Sequence, residues 1–129
     1  MLVVDASVLA PILIDFASDG HRLRTRIRSE QLAGPDLVKI EVASVIRRHL
    51  GLGRIDRLLA DRAIDDLIDF PIALFPSEKL LRRAWELRDN VTAYDACYIA
   101  LAELHDCPLL TCDARLARAP GIGCSVELM

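Results

Sequence analysis

Ring side chains are scarce in this sequence, at 5% of its 129 residues against 53% hydrophobic residues in all. Any core must therefore be built from alanine, valine, leucine and isoleucine. Long apolar runs are also missing. Even the stretch from Ala6 to Ile14 is interrupted by Ser7 and Pro11, far short of the roughly 20 residues that a membrane helix requires. There is no excess of positive charge: 16 basic against 19 acidic residues give −3, with a pI near 5.6. That excludes a grip on nucleic acid through bulk positive charge alone. The start, Met1-Leu2-Val3-Val4-Asp5, carries no basic leader. The expectation is a cytoplasmic protein with no membrane partner. Four cysteines, Cys97, Cys107, Cys112 and Cys124, show no two-residue gap of a zinc knuckle or redox pair. A zinc site from His105, Cys107 and Cys112 lacks the usual ligand spacing. Cys97, Cys107 and Cys112 are expected as small buried hydrophobes.

What is present alternates. Leu2-Val3-Val4 suits a strand buried on both faces. Ser7 is placed to cap a helix reaching about Ile14, and a second helix is expected from His21 to Glu30. Gln31–Gly34 reads as a short strand, and Pro35-Asp36 opens a helix to about Leu50, stopped by Gly51 and Gly53. Ile55–Phe70 has helical periodicity, Ile72–Phe75 reads as a strand, and Ser77 caps a helix to about Arg88. Thr92–His105 is a further helix, Pro108–Thr111 a strand, Ala114–Arg118 a short helix and Gly123–Leu128 a last strand. Strands alternating with helices predict one α/β domain over residues 1–129, with a mostly parallel sheet covered on both sides.

In such sheets chemistry gathers where the carboxyl ends of strands meet helix starts. Asp5 follows the first strand directly, and Asp113 occupies the same kind of place after Leu109-Leu110-Thr111. Asp95 lies in the first turn of a helix whose i+3, i+4 and i+7 positions are Tyr98, Ile99 and Ala102, so it interrupts an apolar face. Glu41 does likewise between Val38 and Val45. Each acid also has a plain structural reading. Thr92-Ala-Tyr-Asp95 matches a capping box; Asp113 suits a helix cap, Asp5 a turn, and Glu41 a surface pair with Lys39 or Arg48. Together, four acids at one sheet edge would repel one another unless a cation neutralised them, and the only lysines are Lys39 and Lys79. Oxygen-only ligands favour a hard divalent ion, Mg²⁺ or Mn²⁺.

Asp5-Ala-Ser7 after a strand, Glu41 on an early helix, Tyr94-Asp95-Ala96 opening an alanine-rich helix and Thr111-Cys-Asp113 after a late strand resemble the PIN domain over essentially the whole chain. Within that family the chain is most similar to VapC-type toxins of bacterial toxin–antitoxin pairs. The resemblance implies a three-layer α/β/α fold and a Mg²⁺- or Mn²⁺-dependent ribonuclease restrained by a cognate VapB-like antitoxin. It implies Asp5, Glu41, Asp95 and Asp113 as the acidic quartet that holds metal and activates water, with Ser7 and Thr111 as supporting hydroxyls. A tRNA or rRNA would be the substrate. For phosphate contact, Arg22, Arg24, Arg26 and Arg28 form the densest basic run, followed by Arg47-Arg48 and Arg82-Arg83; the alternative is a solvated or salt-bridged surface. A mean hydropathy of +0.29 suggests a homodimer or antitoxin surface. Leu58, Leu59, Ile64, Leu67 and Ile68 are candidates for it, or else for the core. Two rivals stand beside this reading. One is a catalytically silent α/β binding domain. The other is an aspartate-based phosphoryl-transfer or receiver domain, which wants a second acid where the chain has Ser7.

Overall fold

A computed structural model describes residues 1–129. Five short strands form one sheet: β1 (Leu2–Val4), β2 (Leu32–Pro35), β3 (Ala73–Phe75), β4 (Leu109–Thr111) and β5 (Val126–Leu128). Their order is β3-β2-β1-β4-β5, and every neighbouring pair is parallel. Seven helices connect them: α1 (Ala6–Ile14), α2 (Ser18–Ile27), α3 (Val38–Gly51), α4 (Arg57–Asp69), α5 (Leu81–Glu86), α6 (Ala93–Leu104) and α7 (Ala114–Ala117). The expected three-layer α/β/α architecture is thus realised with a fully parallel sheet. Leu2, Val3, Val4, Leu109 and Leu110 are all completely buried, as continuous apolar strands covered on both faces must be.

The chain leaves central β1 towards β2 on one side and reaches β4 on the other. That reversal opens a crevice at the carboxyl ends of β1 and β4. α6 packs across β1, β2 and β4 through an almost wholly apolar surface, Ala96 to Ala102 all being buried. α3 packs against α1 and α4. It buries Val38, Val42 and Ile46, the i, i+4, i+8 stripe of an amphipathic helix.

Local chemistry moves several boundaries. α1 is capped by Asp5, whose side chain accepts from Val8 N, and not by Ser7. α2 begins at Ser18 and ends at Ile27, earlier than expected, because Gly20 fits against the end of α1. A Cβ there would lie 1.9 Å from the Asp15 carbonyl oxygen. Ser77 caps no helix; it donates to the Asp36 carboxylate, and residues 77–80 form a 3₁₀ turn ahead of α5. Gly53, at φ 67°, lies just beyond the end of α3, in a conformation that favours glycine. The cysteines are all free. Cys97 is buried and Cys107 half-buried, but Cys112 is exposed, contrary to expectation: it sits on the turn leaving β4, where its backbone faces the site and its side chain the solvent. On α4 only Leu67 of the five candidate contact residues is fully buried; Leu59 and Ile64 are half-buried, and Leu58 and Ile68 are exposed.

One ion pair ties the second half together. Arg83 of α5 donates to both oxygens of Glu103 on α6, at 2.6 and 3.0 Å, while Glu103 also accepts from Gly123 N at 2.7 Å. The Arg83 bonds, first of all, hold the Glu103 carboxyl below its ordinary value of 4.5. A group with a lowered folded value contributes stability above its unfolded value and loses it as pH falls through the folded one. Glu103→Gln is expected to cost about 1–2 kcal/mol at pH 7, a deficit that shrinks below the ordinary carboxylate range, as urea unfolding at a series of pH values will show. Gly20→Ala should cost about 1–3 kcal/mol through forced backbone displacement, measurable as a lowered thermal midpoint.

Candidate active site

Asp5 leaves the end of β1 and is only 6% exposed. Its burial is tolerated because both oxygens are occupied: Ser7 Oγ donates to Oδ1 and Thr111 Oγ1 to Oδ2, each at 2.5 Å. Burial still pushes the Asp5 carboxyl above 3.8, against the lowering effect of these donors. The two hydroxyls also organise the turn after β4. Ser7 Oγ accepts from Cys112 N at 2.8 Å and Thr111 Oγ1 from Asp113 N at 3.0 Å. Ser7 and Thr111 therefore join the two central strand ends through one buried carboxylate.

Glu41 stands in the first turn of α3 and is half-buried. Tyr98, on α6 one turn beyond Asp95, is almost completely buried and donates its hydroxyl to Glu41 Oε2. Desolvation raises the Glu41 carboxyl above 4.5, and the charges of Asp95 and Asp5 raise it further, against the Tyr98 bond. Burial first, then Glu41, likewise raises the Tyr98 phenol. The sequence had offered Tyr98 only as an apolar neighbour. Its i+3 spacing from Asp95 was the available signal that its hydroxyl would emerge among the acids.

Asp95 half-fulfils the capping-box pattern. Thr92 Oγ1 accepts from Asp95 N at 3.1 Å, yet the Asp95 carboxylate makes no hydrogen bond or ion pair of its own and lies in the wall of a cavity of about 530 Å³. Asp113 lines the same cavity and also serves the plain structural role. It caps α7 by accepting from Arg115 N at 2.8 Å and pairs with the Arg115 guanidinium at 3.2 Å. That arginine holds the Asp113 carboxyl below 3.8. The structure thus brings Asp5, Glu41 and Asp95 within electrostatic reach of one another and sets Asp113 beside them, tied to a cation.

No lysine or arginine bonds to Asp5, Glu41 or Asp95. Three carboxylates, two of them desolvated and mutually repelling, whose only partners are hydroxyls and the Val8 amide, make a donor set suited to a hard dication. The fit is one of chemistry rather than preformed coordination. No three acidic, imidazole or thiol groups are disposed to hold an ion as they stand, Asp5 being turned to its two hydroxyls and Glu41 to Tyr98.

The basic run on α2 is largely spent within the fold. Arg24 donates to the Ile12 and Asp15 carbonyls at 2.7 and 2.9 Å and lies over Phe16. Arg26 pairs with Glu30 and Glu127 at 2.7 and 2.6 Å. Arg22 and Arg28 remain exposed, so the run is not one free patch. Arginines nearer the acids, Arg88 and Arg115, line the cavity that holds Asp95 and Asp113; sequence reading had passed over both.

A family model described as the PIN domain matches residues 2–122. The Mycobacterium tuberculosis protein named Ribonuclease VapC1 is 38% identical over 128 residues, covering 98% of this chain and 96% of its own. Among solved structures, M. tuberculosis VapC20, described as a sarcin-ricin loop cleaving toxin, aligns with a TM-score of 0.71 at 15% identity, over 91% of this chain and 93% of that one. VapBC2 from Rickettsia felis, bound to a promoter DNA fragment, aligns with a TM-score of 0.67 at 12% identity, over 98% and 97%. At those identities the structures speak for the fold, while the family match and the sequence relative speak for descent: the chain belongs to the PIN-domain family, in its VapC branch.

Proposed function

We propose that this protein is a metal-dependent endoribonuclease, the toxin of a VapBC-type pair, that hydrolyses RNA phosphodiesters within the cytoplasm. One observation carries the reading: Asp5, Glu41 and Asp95, from three separate elements, lie close enough that the charges of Asp5 and Asp95 both act on half-buried Glu41, with no basic side chain bonded to any of the three. Keeping carboxylates desolvated and uncompensated costs several kcal/mol, and a bound cation removes that cost. The name of the VapC1 relative, and the description of the VapC20 structure as an RNA-loop-cleaving toxin, support the substrate class. The VapBC2 complex supports a VapB-like antitoxin as partner. A tRNA or rRNA is the natural target, and pairing of two chains would cover the apolar surface left by Leu58 and Ile68.

In this mechanism Asp5 and Asp95 would be the principal metal ligands, with Glu41 and Asp113 completing the set directly or through water. A Mg²⁺ or Mn²⁺ ion held there would make water more acidic and offset charge on the scissile phosphate. Ser7 and Thr111 hold the Asp5 carboxylate at the carboxyl end of β1, and Tyr98 holds Glu41 against α6. The Asp113–Arg115 pair leaves a guanidinium at the rim, a group suited to bidentate phosphate contact.

Purified protein should cleave RNA in Mn²⁺ and not in EDTA, with Asp95→Asn slower by about 100-fold, or ~2.7 kcal/mol in the barrier. Cleavage that persists in EDTA or in the variant would overturn the proposal. Because burial holds Asp5 and Glu41 above 3.8 and 4.5, Mn²⁺ affinity should begin to fall on acidification at a pH above that of ordinary carboxylates, as calorimetric titration will show. Tyr98→Phe keeps the ring and its packing but frees Glu41; it should weaken Mn²⁺ binding or turnover about 10- to 100-fold with little change in the far-ultraviolet spectrum.

A further inference from the structure

Trp85 is the sole tryptophan of a chain poor in rings, and it is not in the core. It projects from α5 with 69% of its surface exposed. No helix or strand covers it, although tryptophan carries the largest apolar area of any side chain and is ordinarily mostly buried. What lies over it is Arg88, whose guanidinium carbon is 5.1 Å from the ring centroid and whose Nη1 donates to the Trp85 carbonyl at 2.9 Å. Arg88 also forms part of the wall of the 530 Å³ cavity, together with Asn90, Thr92, Asp95, Asp113 and Arg115. Arg88 thus links the Trp85 ring to the cavity whose wall includes Asp95 and Asp113. Tyr94, 62% exposed, is the residue next to Asp95.

We propose that Trp85 and Arg88 form a stacking platform that holds an unpaired base of single-stranded RNA beside the acidic crevice. The proposal rests on the nuclease reading above. An exposed ring with an arginine over it matches how proteins bind unpaired bases, the ring offering a π-face and the arginine a contact for the adjoining phosphate. A charged strand is favoured over an apolar protein segment because the wall between Trp85 and Asp95 is dense in charge: Arg88 beside Asp89 at 3.9 Å and Arg115 beside Asp113 at 3.2 Å, with Asp95 between them. A base so held extends substrate recognition beyond the scissile phosphate and selects a loop or splayed strand over a duplex.

The single tryptophan makes its own probe. The Asp95→Asn protein, kept in EDTA so that the RNA stays uncut, is titrated with a single-stranded oligonucleotide of about ten residues, with a duplex of the same length, and with inorganic polyphosphate. Saturable quenching of Trp85 fluorescence by the single strand, and not by polyphosphate, is the expected result. Trp85→Ala should weaken single-strand binding by about 5- to 100-fold, the range of one lost stacked base, while Trp85→Phe retains most of it and Mn²⁺ binding is unaltered in both. In an otherwise wild-type protein the loss should be carried by KM. RNA cleavage that proceeds with the same KM after Trp85→Ala would overturn the platform and leave the nuclease reading standing. So would a loss of self-association, seen by sedimentation, with RNA affinity unchanged. Absence of any RNA binding or cleavage by the wild-type protein would overturn both.

Discussion

The arrangement turns on one buried carboxylate. Asp5 closes the central strand, caps the first helix, and takes hydroxyl donors from Ser7 and from Thr111, 106 positions away. Each donor is in turn used by the backbone of the β4 turn. A carboxylate without such partners would be costly at this depth. With them it fixes the relative placement of the two strands that flank the switch point. Every other acid is located by reference to that junction: α6 lies across β1, β2 and β4 and carries Asp95 and Tyr98, and Tyr98 reaches the first turn of α3 to hold Glu41.

This economy explains the chemistry available. The four acids are not equivalent. Asp5 is buried and hydroxyl-bound, Glu41 half-buried and phenol-bound, Asp95 unbonded at a cavity wall, and Asp113 compensated by an arginine. Burial pushes the first two upward, with like charge adding at Glu41, whereas Arg115 pulls Asp113 down. Asp5, Glu41 and Asp113, placed so differently, release protons over a range of conditions and do not titrate as a single group.

Much of this was legible in the sequence because it depends on short-range patterns. A fully apolar three-residue strand followed at once by an acid forces that acid to a strand end, as in Leu2-Val3-Val4-Asp5, and Asp113, two residues past Leu109-Leu110-Thr111, lies just beyond its strand end. Periodicity placed Glu41 and Asp95 on apolar helix faces. What was hidden depends on contacts between distant elements. Nothing local reveals that Arg24 turns back onto the carbonyls ending α1, that Arg26 reaches Glu127, or that the Tyr98 hydroxyl meets Glu41. Caps were misread where two candidates competed. Asp5 displaced Ser7, and Ser77 was drawn to Asp36, because a tertiary partner outweighs a local preference. Cys112 was misplaced for a related reason: a turn that must point its amide inward leaves its thiol outside.

The separation of Ser7 and Asp5 from Thr111 has a consequence for biosynthesis. The first acid emerges from the ribosome almost at once and Glu41 soon after, but the donor for the second Asp5 oxygen, the strand that flanks it and the last two acids arrive only as residues 95 to 113 are added. A sheet whose central strand pairs with a late neighbour closes through long loops and therefore slowly. Until then the nascent polypeptide carries scattered carboxylates with no shared crevice. Whatever these groups do to nucleic acid, they acquire the ability only after translation has passed beyond them.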